Sequence, residues 1–243
     1  MDRKVLIMAH RGFSGERPEN TLASFQEAVE SGADGVEFDV QLSSYGIPVV
    51  IHNENLERTT NGKGLVKNTT RENLSVLDAG SHFDPVYSDE GIPTLKEVLD
   101  VVKDMSVINI EFKNNKIDYG GLEKKVLDIV KGFNLIDKVV FSSFNHYSLI
   151  IIKKLQPDCQ AGCLYYAKIY HPWKYAKYLD IKNIHPHYSA IDKQTVEKCR
   201  EQNINVNVFG TNDEEKIKYL IDIGVNIVIC DYPDVAIRIR DEI

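Results

Sequence analysis

Residues 35–52 read GVEFDVQLSSYGIPVVIH, and the way this stretch folds decides the architecture of the whole chain. Val36, Phe38 and Val40 alternate with Glu37, Asp39 and Gln41, the period-2 pattern of a strand whose faces differ. A second β-rich run, PVVIH, starts at Pro48 after only SSYGI (43–47). A parallel crossover needs a dozen or more residues, whereas a short glycine-containing turn joins antiparallel neighbours. Residues 48–52 are therefore expected to fold back as a hairpin over the end of the preceding strand.

That reading settles a count. Nine β-rich runs alternate along the chain with helical stretches: KVLIMAH (4–10), GVEFDVQL (35–42), PVVIH (48–52), VINIEFK (107–113), KVVFSSF (138–144), AGCLYY (161–166), NIHPHY (183–188), INVNVFG (204–210) and NIVICDY (226–232). Helices are expected near 22–31, 94–104, 121–132, 146–155, 173–179, 194–202 and 213–223, a βαβ alternation that implies a parallel sheet. Setting the hairpin strand aside leaves eight parallel strands, the number that closes a (β/α)8 TIM barrel. An open doubly wound sheet shares the alternation, but no glycine-rich dinucleotide fingerprint accompanies it here. Residues 53–92 fit no βα pattern; TTNGKG, DAGSHFDP and SDEGIP are rich in turn formers. They read as a small inserted cap subdomain over the C-terminal mouth of one barrel domain spanning 1–243.

The 243 residues carry a net charge of -7, which argues against a nucleic-acid partner but leaves room for a small anion held by a few local cations. The four cysteines form no Cys-x-x-Cys pair, so they read as reduced core thiols rather than a zinc or redox site. VLIMA before His10 is too short for a signal peptide, and no run suits a membrane span. The expectation is a soluble cytoplasmic protein, with a homodimer left open. The aromatic and basic stretch YYAKIYHPWKYAKYL (165–179) reads as a strand-to-helix loop with Trp173 half-buried rather than as a membrane contact.

Residues two apart on a strand share a face, so Glu37 projects with Asp39, and Glu111 with Lys113. Both pairs fall in the C-terminal halves of sequential strands, where barrel enzymes place their chemistry. Three converging carboxylates would repel one another without a cation, and an all-oxygen set suits Mg2+ or Ca2+ better than Zn2+. His10 ends the first strand and His52 the returning hairpin strand, and both can exchange protons near neutrality. Arg11 and Lys113 match a phosphate, the arginine as a fork and the lysine as a point charge. Gly12 is expected to let the chain bend so that Arg11 can join His10. Phe144, Tyr165, His187 and Phe209, near strand ends, are candidates for lining the pocket. Asn20 and Thr21 read as the cap of a helix that stops at Gly32, with Glu19 behind the site.

The segments AHRGFSGERPENT (9–21), VEFDVQLSSYGIPVVIHNENLERTTNGKG (36–64) and NIEFK (109–113) resemble the signature blocks of the glycerophosphodiester phosphodiesterase family. SSF, NVNVFGTN and VICDYP resemble its later blocks. The resemblance implies a capped TIM barrel that hydrolyses glycerophosphodiesters, such as glycerophosphocholine or glycerophosphoethanolamine, to sn-glycerol 3-phosphate and an alcohol. On the family's pattern Glu37, Asp39 and Glu111 hold one divalent cation, and His10 and His52 are the acid/base pair. Arg11 and Lys113 bind phosphate, and Phe144 and Phe209 are taken as substrate contacts. His10 is assigned as base and His52 as acid, although the sequence does not fix their order. Three residues depart from the pattern: Asn53 for an aspartate after the second histidine, Phe209 for a tryptophan and Cys230 for a threonine. An alternative keeps the site but acts on lysophospholipids, in a phospholipase D-like or cyclising manner. A third reading, a binding barrel without turnover, would require a lost ligand or histidine, and none is lost.

Overall fold

The computed structural model describes residues 4–243. Its strands are β1 (Leu6–His10), β2 (Gly35–Leu42), β3 (Pro48–Val50), β4 (Val107–Phe112), β5 (Val139–Ser143), β6 (Gln160–Tyr165), β7 (Asn183–Pro186), β8 (Asn205–Phe209) and β9 (Ile227–Cys230). Between them run α1 (Leu22–Glu30), α2 (Arg71–Ser75), α3 (Leu95–Val102), α4 (Leu122–Gly132), α5 (His146–Leu155), α6 (Pro172–Tyr178), α7 (Lys193–Glu201), α8 (Glu214–Asp222) and α9 (Pro233–Asp241). The strands follow the order β1-β9-β8-β7-β6-β5-β4-β2, and β1 also pairs with β2, so eight parallel strands close on themselves as a TIM barrel. β3 pairs antiparallel with β2, Val40 opposite Val50 and Leu42 opposite Pro48, as the short SSYGI connection requires. Among the described residues no helix is long and apolar enough to cross a membrane.

Alternation sorts the side chains of each strand. On β1, Ile7 and Ala9 join the main core beneath the helices, while Met8 packs with Ile227 and Ile229 in a separate apolar cluster. Phe25 of α1 meets Phe38 of β2 edge-on at 5.5 Å, and truncating either fully buried ring would cost about 3–5 kcal/mol. Local signals fix the helix starts. Thr94 and Glu97 form a reciprocal capping box ahead of α3. Thr21 caps α1 through its hydroxyl and the Ser24 amide, and Gly32 follows in the left-handed region at φ +76°.

The inserted residues carry a core of their own, in which Leu56, Val66, Leu74 and Ala79 pack with Val49, Ile51 and Ile92. Two helices were not anticipated, one in the insertion and one at the end of the chain. The short α2 follows a Thr70 cap, and α9 closes the chain with Pro233 in its first turn. β3 is also two residues shorter than expected, so His52 lies just past a strand rather than at its end. The reason is Gln41, whose side-chain amide donates to the carbonyls of Ile51, His52 and Asn53 at 3.0, 3.1 and 2.8 Å. The side chain takes over the pairing that a longer ladder would have supplied.

Candidate active site

β1, β2 and β4 lie side by side, with His10 in register with Glu37, and Asp39 with Glu111. Glu37, Asp39 and Glu111 each offer a carboxylate oxygen, all within 4.8 Å of one another, and all three are buried. Lys113, one residue beyond β4, leans back over them: its Nζ donates to Glu111 Oε1 at 2.8 Å and lies 3.6 Å from Asp39 Oδ1.

The electrostatics mark a site short of positive charge. Burial and the neighbouring Asp39 charge push the Glu37 carboxyl well above the ordinary range. Burial raises Glu111 as well, against the pull of Lys113. Burial also works against the Asp39 charge, yet His52, Lys113, Arg11 and the Asn20 amide hold it far below the usual range. Two fixed cations thus keep Asp39 ionised, while Glu37 and Glu111 are both pushed upward by burial.

Arg11 reaches the cleft by a sharper bend than the glycine alone provides. Arg11 itself adopts φ +54° and Gly12 follows at +79°, an αL residue type rare outside glycine and asparagine. The Arg11 amide donates to Glu37 Oε2 at 3.1 Å, helping to hold the turn. Its guanidinium donates to Glu19 Oε1 at 3.0 Å, and Nε lies 3.4 Å from Asp39 Oδ2. Glu19 is gripped from its other side by Arg58 of the inserted segment. The expected Asn20–Thr21 cap divides in two. Thr21 caps the helix, whereas Asn20 sits at φ +58° and donates to Asp39 Oδ2 at 2.9 Å.

The two imidazoles are held differently. His10 Nδ1 bonds Asp231 Oδ1 at 2.6 Å, while Nε2 lies 3.9 Å from Glu37. Burial and Arg11 act to lower the His10 pKa, but Asp231 and Glu37 carry it above the ordinary value. Asp231 is fixed in turn by Ser14 and Asn212. His52 Nδ1 bonds Asn53 Oδ1 at 2.7 Å, and Nε2 lies 3.2 Å from Lys113 Nζ. Burial, with Arg11 and Lys113, lowers the His52 pKa against the pull of Asp39. Asn53 thus orients its imidazole without adding charge.

His10, Arg11, Glu37, His52, Glu111 and Lys113 line a cleft of about 210 Å³, which also has an aromatic wall: Phe144, Tyr166, His187 and Phe209. Phe144 stacks on Tyr166 at 5.0 Å, and Phe209 meets both edge-on. Tyr165 does not belong to this wall. It is the last residue of β6 and points into the outer core, so the lining falls to Tyr166, where the strand has stopped. Sequence reasoning also missed Asp231 and Arg58. The CDYP run follows the last strand, and that position was the available signal for Asp231; Arg58 lies in an irregular stretch whose direction no pattern reveals. Trp173 is half-buried, and the four cysteines are buried and unbridged.

Two cations and two imidazoles face one cleft at the barrel mouth, and comparison with known proteins makes the chain a phosphodiesterase. The chain belongs to the Glycerophosphoryl diester phosphodiesterase family, whose pattern it matches over residues 10–235. It is 40% identical to a glycerophosphodiester phosphodiesterase of Caldanaerobacter subterraneus subsp. tengcongensis over 97% of this chain and 98% of that one. It is 42% identical to one from Bacillus altitudinis, with coverage of 97% and 98%. A solved Oleispira antarctica phosphodiesterase in complex with the product sn-glycerol-3-phosphate superposes with a TM-score of 0.87 at 36% identity, covering 97% of this chain and 96% of that one.

Proposed function

We propose that the chain hydrolyses glycerophosphodiesters to sn-glycerol 3-phosphate and a free alcohol, with a divalent cation bound by Glu37, Asp39 and Glu111. The observation that carries this reading is the buried carboxylate triad, of which Glu37 and Glu111 line the same cleft as Arg11, Lys113 and both histidines. The donor set fits such an ion: the oxygens are all carboxylate, and burial and the neighbouring acid charge raise the pKa of two of the acids, a strain that a cation would relieve. When bound, the cation supplies Lewis-acid polarisation of a phosphoryl oxygen.

The chain's own residues do the rest. Arg11 and Lys113 hold the non-bridging oxygens and offset charge as it builds on them. His10, its Nδ1–H held by Asp231, presents Nε2 to the attacking hydroxyl and takes its proton as that oxygen bonds phosphorus. His52 delivers a proton to the leaving alcohol oxygen as its bond to phosphorus breaks. The aromatic wall of Phe144, Tyr166, His187 and Phe209 covers the apolar side of the substrate and keeps water from it. The Oleispira structure with its product supports the choice of sn-glycerol 3-phosphate as the moiety retained.

The test is release of sn-glycerol 3-phosphate from glycerophosphocholine, followed by 31P NMR, with and without chelator. Turnover is expected with Mg2+ or Ca2+ and lost on chelation. Unchanged turnover after stripping metal, or full activity in Glu37→Ala, would sink the cation assignment. A transient five-membered cyclic phosphate would assign attack to the substrate's own glycerol hydroxyl rather than to water.

A further inference from the structure

Arg11 does not stand free at the end of β1. Its guanidinium lies between Glu19, which accepts from Nη1 at 3.0 Å, and Asp39, 3.4 Å from Nε. The second contact works against the site, because a lone pair of Asp39 turned to Arg11 is unavailable to a cation. Glu19 holds the other side of the guanidinium, so the position of this cation depends on both acids. Glu19 is itself held in a fork: Arg58 Nη1 donates to Oε2 at 2.8 Å and Nη2 to Oε1 at 2.5 Å. Burial and the nearby Asp39 charge oppose ionisation of Glu19, and the Arg58 bonds lead the groups that keep its carboxyl below the ordinary range.

Arg58 has an exposed side chain but an anchored backbone. It ends a short turn, Leu56–Arg58, in which Leu56 is buried in the inserted segment's own core. The Leu56 carbonyl accepts from both the amide and the hydroxyl of Thr60, closing the turn. Arg58 does not line the substrate cleft, so it acts only through Glu19.

We infer that Arg58 is a positioning residue: by gripping Glu19 from the inserted segment, it fixes one side of the Arg11 guanidinium and so holds that cation at the cleft. The inserted segment thereby completes the phosphate site without touching substrate. This inference rests on the reading of Arg11 as a phosphate-binding cation, and the test separates the two.

The experiment is a double-mutant cycle of Arg58→Met and Arg11→Met, with Arg58→Lys as the conservative variant. It reads kcat and KM for glycerophosphocholine, affinity for sn-glycerol 3-phosphate by calorimetry, and melting temperature. Arg58→Met is expected to lower kcat/KM about 10- to 100-fold and to weaken product binding, because a displaced cation loses its transition-state contact. Arg58→Lys recovers part of the loss. In the Arg11→Met background the same Arg58 change costs about twofold or less, since the group it positions is gone. An Arg58→Met cost equal in both backgrounds, or product affinity unchanged in the folded variant, would overturn the inference. If Arg11→Met leaves kcat/KM intact, the phosphate reading of Arg11 fails and this inference falls with it.

Discussion

Cation binding at the carboxylate triad should release a proton. In the metal-free site, burial and the Asp39 charge raise the Glu37 carboxyl to about 8. A carboxyl raised that far is largely protonated at pH 7, so an ion that needs the carboxylate displaces up to about one proton. Isothermal titration with Mg2+ or Ca2+ at pH 7, in two buffers of different ionisation heat, measures that number directly. Apparent affinity should also rise about tenfold per pH unit below pH 8 and level off above it. Stability carries the same signature with its own sign. The folded, metal-free chain keeps the Glu37 proton that an unfolded carboxyl loses near 4.5, so its stability is greatest below that pH. It is lost by up to a few kcal/mol as pH rises through about 8, with no further loss above. Melting temperatures of chelated protein should fall across this window, whereas the ion-loaded protein should lack that contribution. The Glu37→Gln variant, unable to ionise there, should bind the ion more weakly and release far less proton. Normal ion binding with a heat independent of buffer would refute the reasoning, because the free site would then already hold three carboxylates.

Other perturbations follow from the same geometry. Asp231→Asn removes the charge that raises His10, so the acid limb of the kcat/KM profile should move to lower pH while kcat falls about 10²- to 10⁴-fold; an unshifted limb would exclude His10 as the base. Asn53→Asp places a carboxylate beside His52 Nδ1, and the limb assigned to the acid should move to higher pH, as a pH–rate series would read. Gly12→Ala forces a Cβ to within 2.3 Å of Ser24 Oγ at φ +79°; unfolding should show a loss on the order of 1–3 kcal/mol, and a smaller loss would mean the turn relaxes.

The barrel was legible because its cues are local. Period-2 alternation set Glu37 with Asp39 and Glu111 with Lys113, and the five residues of SSYGI excluded a parallel crossover between β2 and the strand after it. Those pairs need only the strand's own geometry, so most of the acid and cation set could be read without a fold. Element ends were less visible. Gln41 shortened β3 by taking three carbonyls on its side chain, and where β6 stops exchanged Tyr165 for Tyr166 in the cleft.

What the sequence by itself determined was the strand count, the hairpin and which residues share a strand face, because each follows from spacing along the chain. Tertiary structure alone decided which partners reach those residues. Asp231 meets His10 across 221 positions because β9 closes against β1, and Arg58 meets Glu19 across 39 because the inserted segment folds back to the mouth. Neither distance leaves a period in the sequence. Side chains so far apart along the chain become neighbours through closure of the barrel and packing of the insertion, and these contacts supply the partner of one histidine and the setting of one arginine.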